Sequence, residues 1–555
     1  MDWQKSLNLV AIGLVAWLLI IEWDRFGARE GQAAVVGDTR SIVTEASEIP
    51  SEPVQDLSSD LPQMQVVPEE ISQTRQTSRL VNVTTDLLQV TIDTLGGDIV
   101  DVRLLKHLTA MADDGGEPFT LLTRSDNHLY IAQSGLIGAN ATDTVDGRPQ
   151  FAVASNNYEL LGSDNHLQVD LTLKQGDSRI LKRFHFVSGS YTIGVEYSIE
   201  NLGDQAWEAA FYGQIKRDSN APIVQSSGGM QPYLGAALRQ NETNFAKYDF
   251  SDMQDKPLKE TIGGGWVAMV QHYFVSAWIP PRKDTNSFSL RHSKGQDVYL
   301  MGFVGEKISV AAGSSGNYMA QFYVGPKDQD TLAKLAEYLD LTVDYGFLWM
   351  LAKPIFASMQ YIHTLLGNWG WSIILLTILI KILLYPLSAA SLKSMAKMRN
   401  LQPEMARLKE LYGDDRQKMS QELMGLYKKE KVNPAGGCLP MLLQMPVFIA
   451  LYWVLLESVE IRHTPWIFWI QDLSAKDPFF VLPIIMGGSM LLMQKMQPMP
   501  TDPMQAKVMK LMPIMFTVFF MFFPAGLVLY WTVNNLLSML QQWVVNKQLA
   551  TSKKS

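Results

Sequence analysis

Lys381 follows a stretch, Pro354 to Ile380, that runs 27 residues without Asp, Glu, Lys or Arg. An ammonium at the centre of a membrane span costs about 2.5 to 3.5 kcal/mol on insertion scales, and groups kept there despite that cost are usually functional. No acid on another apolar stretch lies at a depth to pair with it, since Glu457 and Glu460 fall at the opposite end of their own run. Water must therefore reach the ammonium. Either the lysine snorkels along its stem toward the edge near Pro386, or it lines a wet cavity. The chemistry available is electrostatic: a held cation that attracts anionic or polar groups.

Thr377 stands four residues before Lys381 and shares its helical face. In the last apolar run Trp531, Asn534, Ser538 and Gln541 recur at i, i+3, i+7 and i+10, making one polar face headed by an aromatic ring. Two readings are open, hydrogen bonding between helices of a bundle or a hydrophilic groove open to the inside. Met441, Met445, Phe448, Met490, Met493, Met515, Phe519, Phe520 and Met521 suit lipid-facing or core positions equally. Flexible thioethers also suit a surface that accepts many apolar sequences. Of the eight histidines, His107, His128, His166, His185, His272 and His292 lie before Asp340, none at metal-ligand spacing. With one cysteine, Cys438, and no G-x-x-x-x-G-K-[ST], the sequence points to no metal, disulfide or nucleotide chemistry.

The elements that must position these residues follow from charge and pattern. The 555 residues are 47% apolar, too many for a small module. Residues 1 to 343 hold 27 basic and 43 acidic side chains, a balance of -16, whereas 344 to 555 hold 20 and 12, a balance of +8. The two parts therefore have different surroundings. Leu7 to Ile21 carries no charge and ends in Glu22-Trp23-Asp24-Arg25 with no cleavage site, which predicts an uncleaved anchor over 1–25. Residues 26–78, rich in Ser, Thr, Glu, Gln and Pro, read as a flexible linker. Over 79–340, alternation such as His166 to Leu173 and Tyr191 to Tyr197, with turns at Gly96-Gly97-Asp98 and Asn201-Leu202-Gly203-Asp204, predicts one large all-β sandwich.

After it come an amphipathic interfacial helix over 341–366, broken at Pro354, and apolar spans over 367–390, 436–460 and 478–497. The last uncharged run, Leu511 to Asn546, has 36 residues. As one helix it would reach about 54 Å against a hydrocarbon core of roughly 30 Å. Pro524-Ala525-Gly526 splits it into spans over 509–523 and 525–546, giving six transmembrane helices with the anchor. Ten basic residues in 391–431 and the lysines of the 498–508 loop and the 547–555 tail fall on one side, whereas the 461–477 loop has only Arg462 and Lys476. By the positive-inside rule both termini are cytoplasmic and the β-domain is exported. Heptad-like apolar residues on either side of Gly413-Asp414-Asp415 predict a two-helix hairpin over 391–431. It is either a solvated basic connector or a docking element for a partner at the membrane surface.

Gly370-Trp371-Ser372-Ile373, Tyr385-Pro386-Leu387, Ser394-Met395-Ala396-Lys397-Met398, Lys431-Val432-Asn433-Pro434, Gly436-Gly437-Cys438, Gln444-Met445-Pro446 and Phe523-Pro524-Ala525-Gly526-Leu527 closely resemble the YidC/Oxa membrane protein insertase family over residues 345 to 545. The anchor followed by an exported β-domain resembles the family's Gram-negative arrangement. That likeness implies a polytopic α-helical inner-membrane protein with a five-helix insertase core and a periplasmic β-supersandwich similar to sugar-mutarotase folds. It further implies an insertase and chaperone rather than an enzyme, without cofactor or direct nucleic acid role. Its hydrophilic, positively charged groove would open to cytoplasm and lipid and receive nascent membrane proteins. By the same resemblance the groove cation falls on Lys381, where the family more often has arginine, a groove threonine on Thr377, and a groove aromatic on Trp531 beside Tyr530. Asn534 and Ser538 continue that face. The implied partners are the phospholipid bilayer, the Sec translocon (SecYEG and SecDF), and the ribosome and signal-recognition receptor at the cytoplasmic hairpin.

Two alternatives compete: a polytopic anion or solute transporter in which Lys381 binds a small anion, and an anchored periplasmic carbohydrate enzyme. The halves lack the paired broken helices of inverted-repeat transporters. No acid and base pair stands out in the β-domain, and an anchored enzyme would leave five further spans unexplained.

Overall fold

The computed structural model describes residues 79–111, 115–144, 147–160, 162, 164–221, 232–412, 415–430, 432, 439–497 and 503–552. The predicted anchor (1–25) and linker (26–78), residues 433–438, residues 498–502 of the following loop and residues 553–555 of the tail lie outside them. Every statement below concerns the described residues.

The alternating segments are strands. In Thr192–Asn201 the side chains of Ile193, Val195, Tyr197 and Ile199 are buried and those of Glu196 and Ser198 between them are less so. Strands from Leu80 to Pro326 form a ten-stranded and a nine-stranded sheet, antiparallel except where Leu80–Thr84 runs parallel to Asn157–Glu159. Gly96 and Gly97, at φ +78° and +65°, make the turn between Leu88–Asp93 and Asp98–Leu108 in a left-handed conformation that glycine adopts without steric cost. The sheets enclose an aromatic core in which Phe211 lies 6.2 Å from Trp278 and 5.8 Å from Phe303.

Three strands, Gly235–Leu238, Val267–Val270 and Phe274–Ile279, are buried at every position and so show no alternation. The outer faces of the last two (Ala268, Val270, Val275, Ala277) join one apolar cluster with Tyr345, Met359, Leu451 and Val454 of the helical part. A sheet covered on both faces has no reason to alternate.

The helical part comprises α1 (Trp349–Leu366), α2 (Trp369–Leu383), α3 (Tyr385–Asn400), α4 (Gln402–Tyr412), α5 (Arg416–Lys429), α6 (Leu439–Glu457), α7 (Val481–Met496), α8 (Pro503–Phe520) and α9 (Ala525–Ser552). No single described helix is both long and apolar enough to cross a membrane. The pair α2 and α3 passes by length and composition together, with a bend of 69° at their junction, and α7 is a shorter apolar helix. The span expected over 367–390 is thus not one straight rod. Pro386 at the start of α3 lacks an amide donor and its ring clashes with the carbonyl four residues back, which ends α2.

Other bounds differ from expectation in the same local way. α1 runs through Pro354 instead of breaking there, and Lys353 in its first turns pairs with Asp340 at 3.0 Å. The first arm expected for the 391–431 hairpin is divided at Leu401 between α3 and α4, and the hairpin itself is α4 against α5, where Tyr427 meets the Met405 sulfur at 3.8 Å. α8 ends and α9 begins at the Pro524 turn, as the 36-residue run required. There the loop before α7 satisfies free amides at the start of α9: Ala525 and Gly526 donate to the carbonyls of Ala475 (2.7 Å) and Leu473 (2.9 Å). α9 packs against α2, α3, α6 and α7 and is the axis of this part.

Candidate functional site

Lys381, in the last turn of α2, faces α9 at a cavity of about 400 Å³. Leu392 and Met395 of α3, Gln444, Met445 and Phe448 of α6, Met490, Met493 and Gln494 of α7, and Met512 and Phe516 of α8 close its sides. The α9 wall carries Trp531, Asn534, Asn535, Ser538 and Gln542. The α9 wall is therefore mostly polar with a single cation beside it on α2, and the facing walls are mainly thioether and aromatic, with the amides of Gln444 and Gln494 among them.

The cation is held by a hydroxyl. Lys381 Nζ donates to Ser538 Oγ at 2.9 Å, and that hydroxyl donates to the Asn534 carbonyl at 2.7 Å. Among the described residues no carboxylate lies within 4.0 Å of the ammonium. Gln541, the fourth member of the predicted stripe, turns to the α2 backbone and donates to the Lys381 carbonyl at 3.4 Å. Trp531 sits edge-on to Phe448 at 4.6 Å and beside Phe520 at 5.3 Å. Its indole Nε1 and the Asn534 amide oxygen are buried without a hydrogen-bond partner. Such unmet groups carry a desolvation cost of about 1–3 kcal/mol each, which a polar guest in the cavity would relieve.

Of the residues singled out from sequence, Lys381, Trp531, Asn534 and Ser538 meet in this cavity. Thr377 and Tyr530 do not line it. The Thr377 hydroxyl bonds back to the Ile373 carbonyl at 2.6 Å within its own helix, and Tyr530 is buried behind Gln444, with which it shares a hydrogen bond. The Met and Phe residues divide: Met445, Phe448, Met490 and Met493 face the cavity, whereas Met515 and Phe519 are exposed on the far side of α8. Sequence reading missed five amides. Gln444, Gln494, Gln497, Asn535 and Gln542 line the cavity, and the signal was there for those inside apolar runs, since an amide there needs a partner as a lysine does. Asn535 finds Ser489 Oγ at 3.0 Å and Gln542 the Met496 carbonyl at 3.1 Å, so they tie α9 to α7.

Residues 361–553 match the family model described as 60Kd inner membrane protein, and residues 80–358 match that of the YidC periplasmic domain. The membrane protein insertase YidC of Cellvibrio japonicus is 52% identical over 549 residues, covering 99% of this chain and 99% of its own length. That of Saccharophagus degradans is 51% identical over 574 residues, again at 99% of each. A solved YidC insertase with its first transmembrane domain resolved aligns with 83% of this chain and 92% of its own at 19% identity, with a TM-score of 0.38, too low to carry an argument. These relatives lend nothing to the transporter or carbohydrate-enzyme alternatives. With relatives half identical along its whole length and family models matching both its parts, the chain belongs to the YidC membrane protein insertase family of inner-membrane proteins, and its β-sandwich is that family's periplasmic domain.

Proposed function

We propose that this chain inserts nascent membrane proteins by receiving the polar, acidic end of a client segment in the Lys381 cavity while the client's apolar span leaves past the methionine and phenylalanine walls. The carrying observation is the half-buried Lys381 ammonium, held by Ser538 and facing no described carboxylate, beside the unmet Trp531 and Asn534 groups. An acidic side chain entering from water would gain a charge-assisted hydrogen bond in a site of low dielectric. Burial of the client's span, about 0.8 kcal/mol per CH₂, and the membrane potential supply the drive, so no nucleotide is needed. In this reading Lys381, Trp531, Asn534 and Ser538 are the groove's contact residues, and Thr377 and Tyr530 support them from behind. In this reading six spans leave both termini and the α4–α5 hairpin in the cytoplasm, where ribosome and targeting receptor would dock, and the chain works alone or with the Sec translocon.

The test is reconstitution of the purified chain in liposomes with a single-span client bearing an acidic periplasmic tail. Protease-protected insertion above protein-free liposomes, lost in Lys381→Ala, is expected. Insertion unchanged in that variant would refute the attraction role.

A further inference from the structure

A second recess, of about 380 Å³, lies where the β-domain meets the loop after α6. Lys106 and His107 line it from the strand Asp98–Leu108, and Arg462, His463 and Gln471 from the loop. Its level is set by three helix ends. α6 stops at Glu457, α7 starts at Val481, and α2 starts just after Asn368, whose amide donates to the carbonyls of Pro465 (3.2 Å) and Trp466 (3.3 Å).

The loop that walls the recess also carries an aromatic rim at that level. Phe468 is 78% exposed and stacks on Trp469 at 6.1 Å, Phe479 is 67% exposed, and Trp371 lies edge-on to Trp466 at 5.9 Å. Phe468 has φ +53°, uncommon without glycine and held only where surroundings insist on it. The Gln471 amide, itself part of the recess, donates to the Phe468 carbonyl at 2.6 Å. Recess and rim are thus one built unit, and aromatic rims of this kind seat at the headgroup level of a bilayer.

The recess is cationic. Arg462 donates to the Leu108 carbonyl and lies over the rings of Tyr273 and Phe274, each at 5.7 Å, which fixes its guanidinium. Among the described residues neither Arg462 nor Lys106 has a carboxylate within 4.0 Å. Asp472, on the same loop, is occupied by the backbone amides of His463 (3.2 Å) and Ser474 (2.8 Å), with the His463 ring 3.9 Å away. Burial, then the charges of Arg462 and His463, hold the His107 imidazole down to about 4, so it stays neutral and keeps one N–H to give.

We infer that this recess binds the phosphodiester of an anionic phospholipid of the outer leaflet, with Lys106 and Arg462 as its cationic partners and the Phe468 and Trp469 rim seated beside its glycerol end. Two cations and a neutral donor neutralise one monovalent phosphate and supply N–H donors to both of its free oxygens.

The experiment uses the full chain taken from mixed phosphatidylglycerol and phosphatidylcholine nanodiscs into detergent, with retained lipids counted by mass spectrometry. Phosphatidylglycerol should be retained over phosphatidylcholine. Lys106→Gln, at an exposed side chain whose loss should leave thermal unfolding unchanged, should cut that preference about five-fold, the effect of one basic group at a membrane surface. Arg462→Gln should cut it at least as much, whereas Lys476→Gln, on the same loop outside the recess, should not. Equal retention of both lipids, or equal loss in Lys476→Gln, would overturn the site. Displacement by inorganic phosphate would overturn the lipid assignment in favour of a free anion. Crosslinking from position 106 to an acidic client segment instead of lipid would overturn it in favour of a protein ligand.

Discussion

Lys327, just beyond the last strand of the β-domain, and Glu457, the last residue of α6, form an ion pair with Nζ and Oε2 2.6 Å apart and side chains only 2% and 3% exposed. The periplasmic domain is thereby keyed onto the helix that supplies Gln444, Met445 and Phe448 to the cavity. Removing one partner strands the other charge in a dry contact. Glu457→Gln or Lys327→Met alone should destabilise the detergent-solubilised protein by about 3–5 kcal/mol. The double variant Lys327→Met with Glu457→Leu should recover most of that, and a double variant no better than the singles in thermal unfolding would refute the pairing.

At the cavity, charge and not the hydroxyl contact should govern insertion. Lys381→Arg should keep the insertion of acidic-tailed clients, and Lys381→Ala should lower it about ten-fold or more, as expected for loss of a hydrogen bond to a charged group. Ser538→Ala removes the hydroxyl that holds the ammonium and should stay near wild type. Initial insertion rates in liposomes measure all three; a Ser538→Ala defect equal to that of Lys381→Ala would mean that position matters more than charge.

The close approach of α7 to α8 depends on Gly487, where an added Cβ would lie 1.9 Å from Thr517 Oγ1. Gly487→Ala should cost about 1–3 kcal/mol through overpacking. Adding Thr517→Ala removes the atom in the way and should restore most of the loss in a thermal melt; no rescue would show that the helices do not meet there.

His272 links the two parts in a pH-dependent way. Its Nε2–H donates to the Leu456 carbonyl at 2.7 Å, and burial, then the Lys327 charge, holds its imidazole down to about 3. The unfolded chain takes up this proton near the ordinary value of 6.5 and the folded chain does not, so this group lowers stability as pH falls from about 6.5 toward 3. The slope is at most about 1.4 kcal/mol per pH unit, with no contribution above that window. His272→Gln keeps a donor and cannot titrate, so its melting point should fall less than the wild type's between neutral and mildly acidic pH. Parallel curves would exclude His272 as the cause.

Much of the site is legible along the chain because its signals are one-dimensional. A lysine in an apolar run is costly wherever the run folds, which marked Lys381, and the helical period put Trp531, Asn534 and Ser538 on one face before any partner was known. Alternation marked strands such as Thr192–Asn201, and a run too long for one span located the Pro524 turn.

What needed the tertiary structure was everything set by a second element. Thr377 shares the face of Lys381 but satisfies itself on its own helix, a choice that spacing does not make. Only the packing of α3, α7 and α8 around α9 separates the methionines that line the cavity from those left exposed. The strands Val267–Val270 and Phe274–Ile279 lose their alternation because helices cover their outer faces. Lys327 with Glu457, 130 residues apart, and Lys106 with Arg462, still further apart, come together only in the fold. Composition and period follow from the order of residues, whereas burial, pairing and cavity walls depend on which surfaces the folded chain brings face to face.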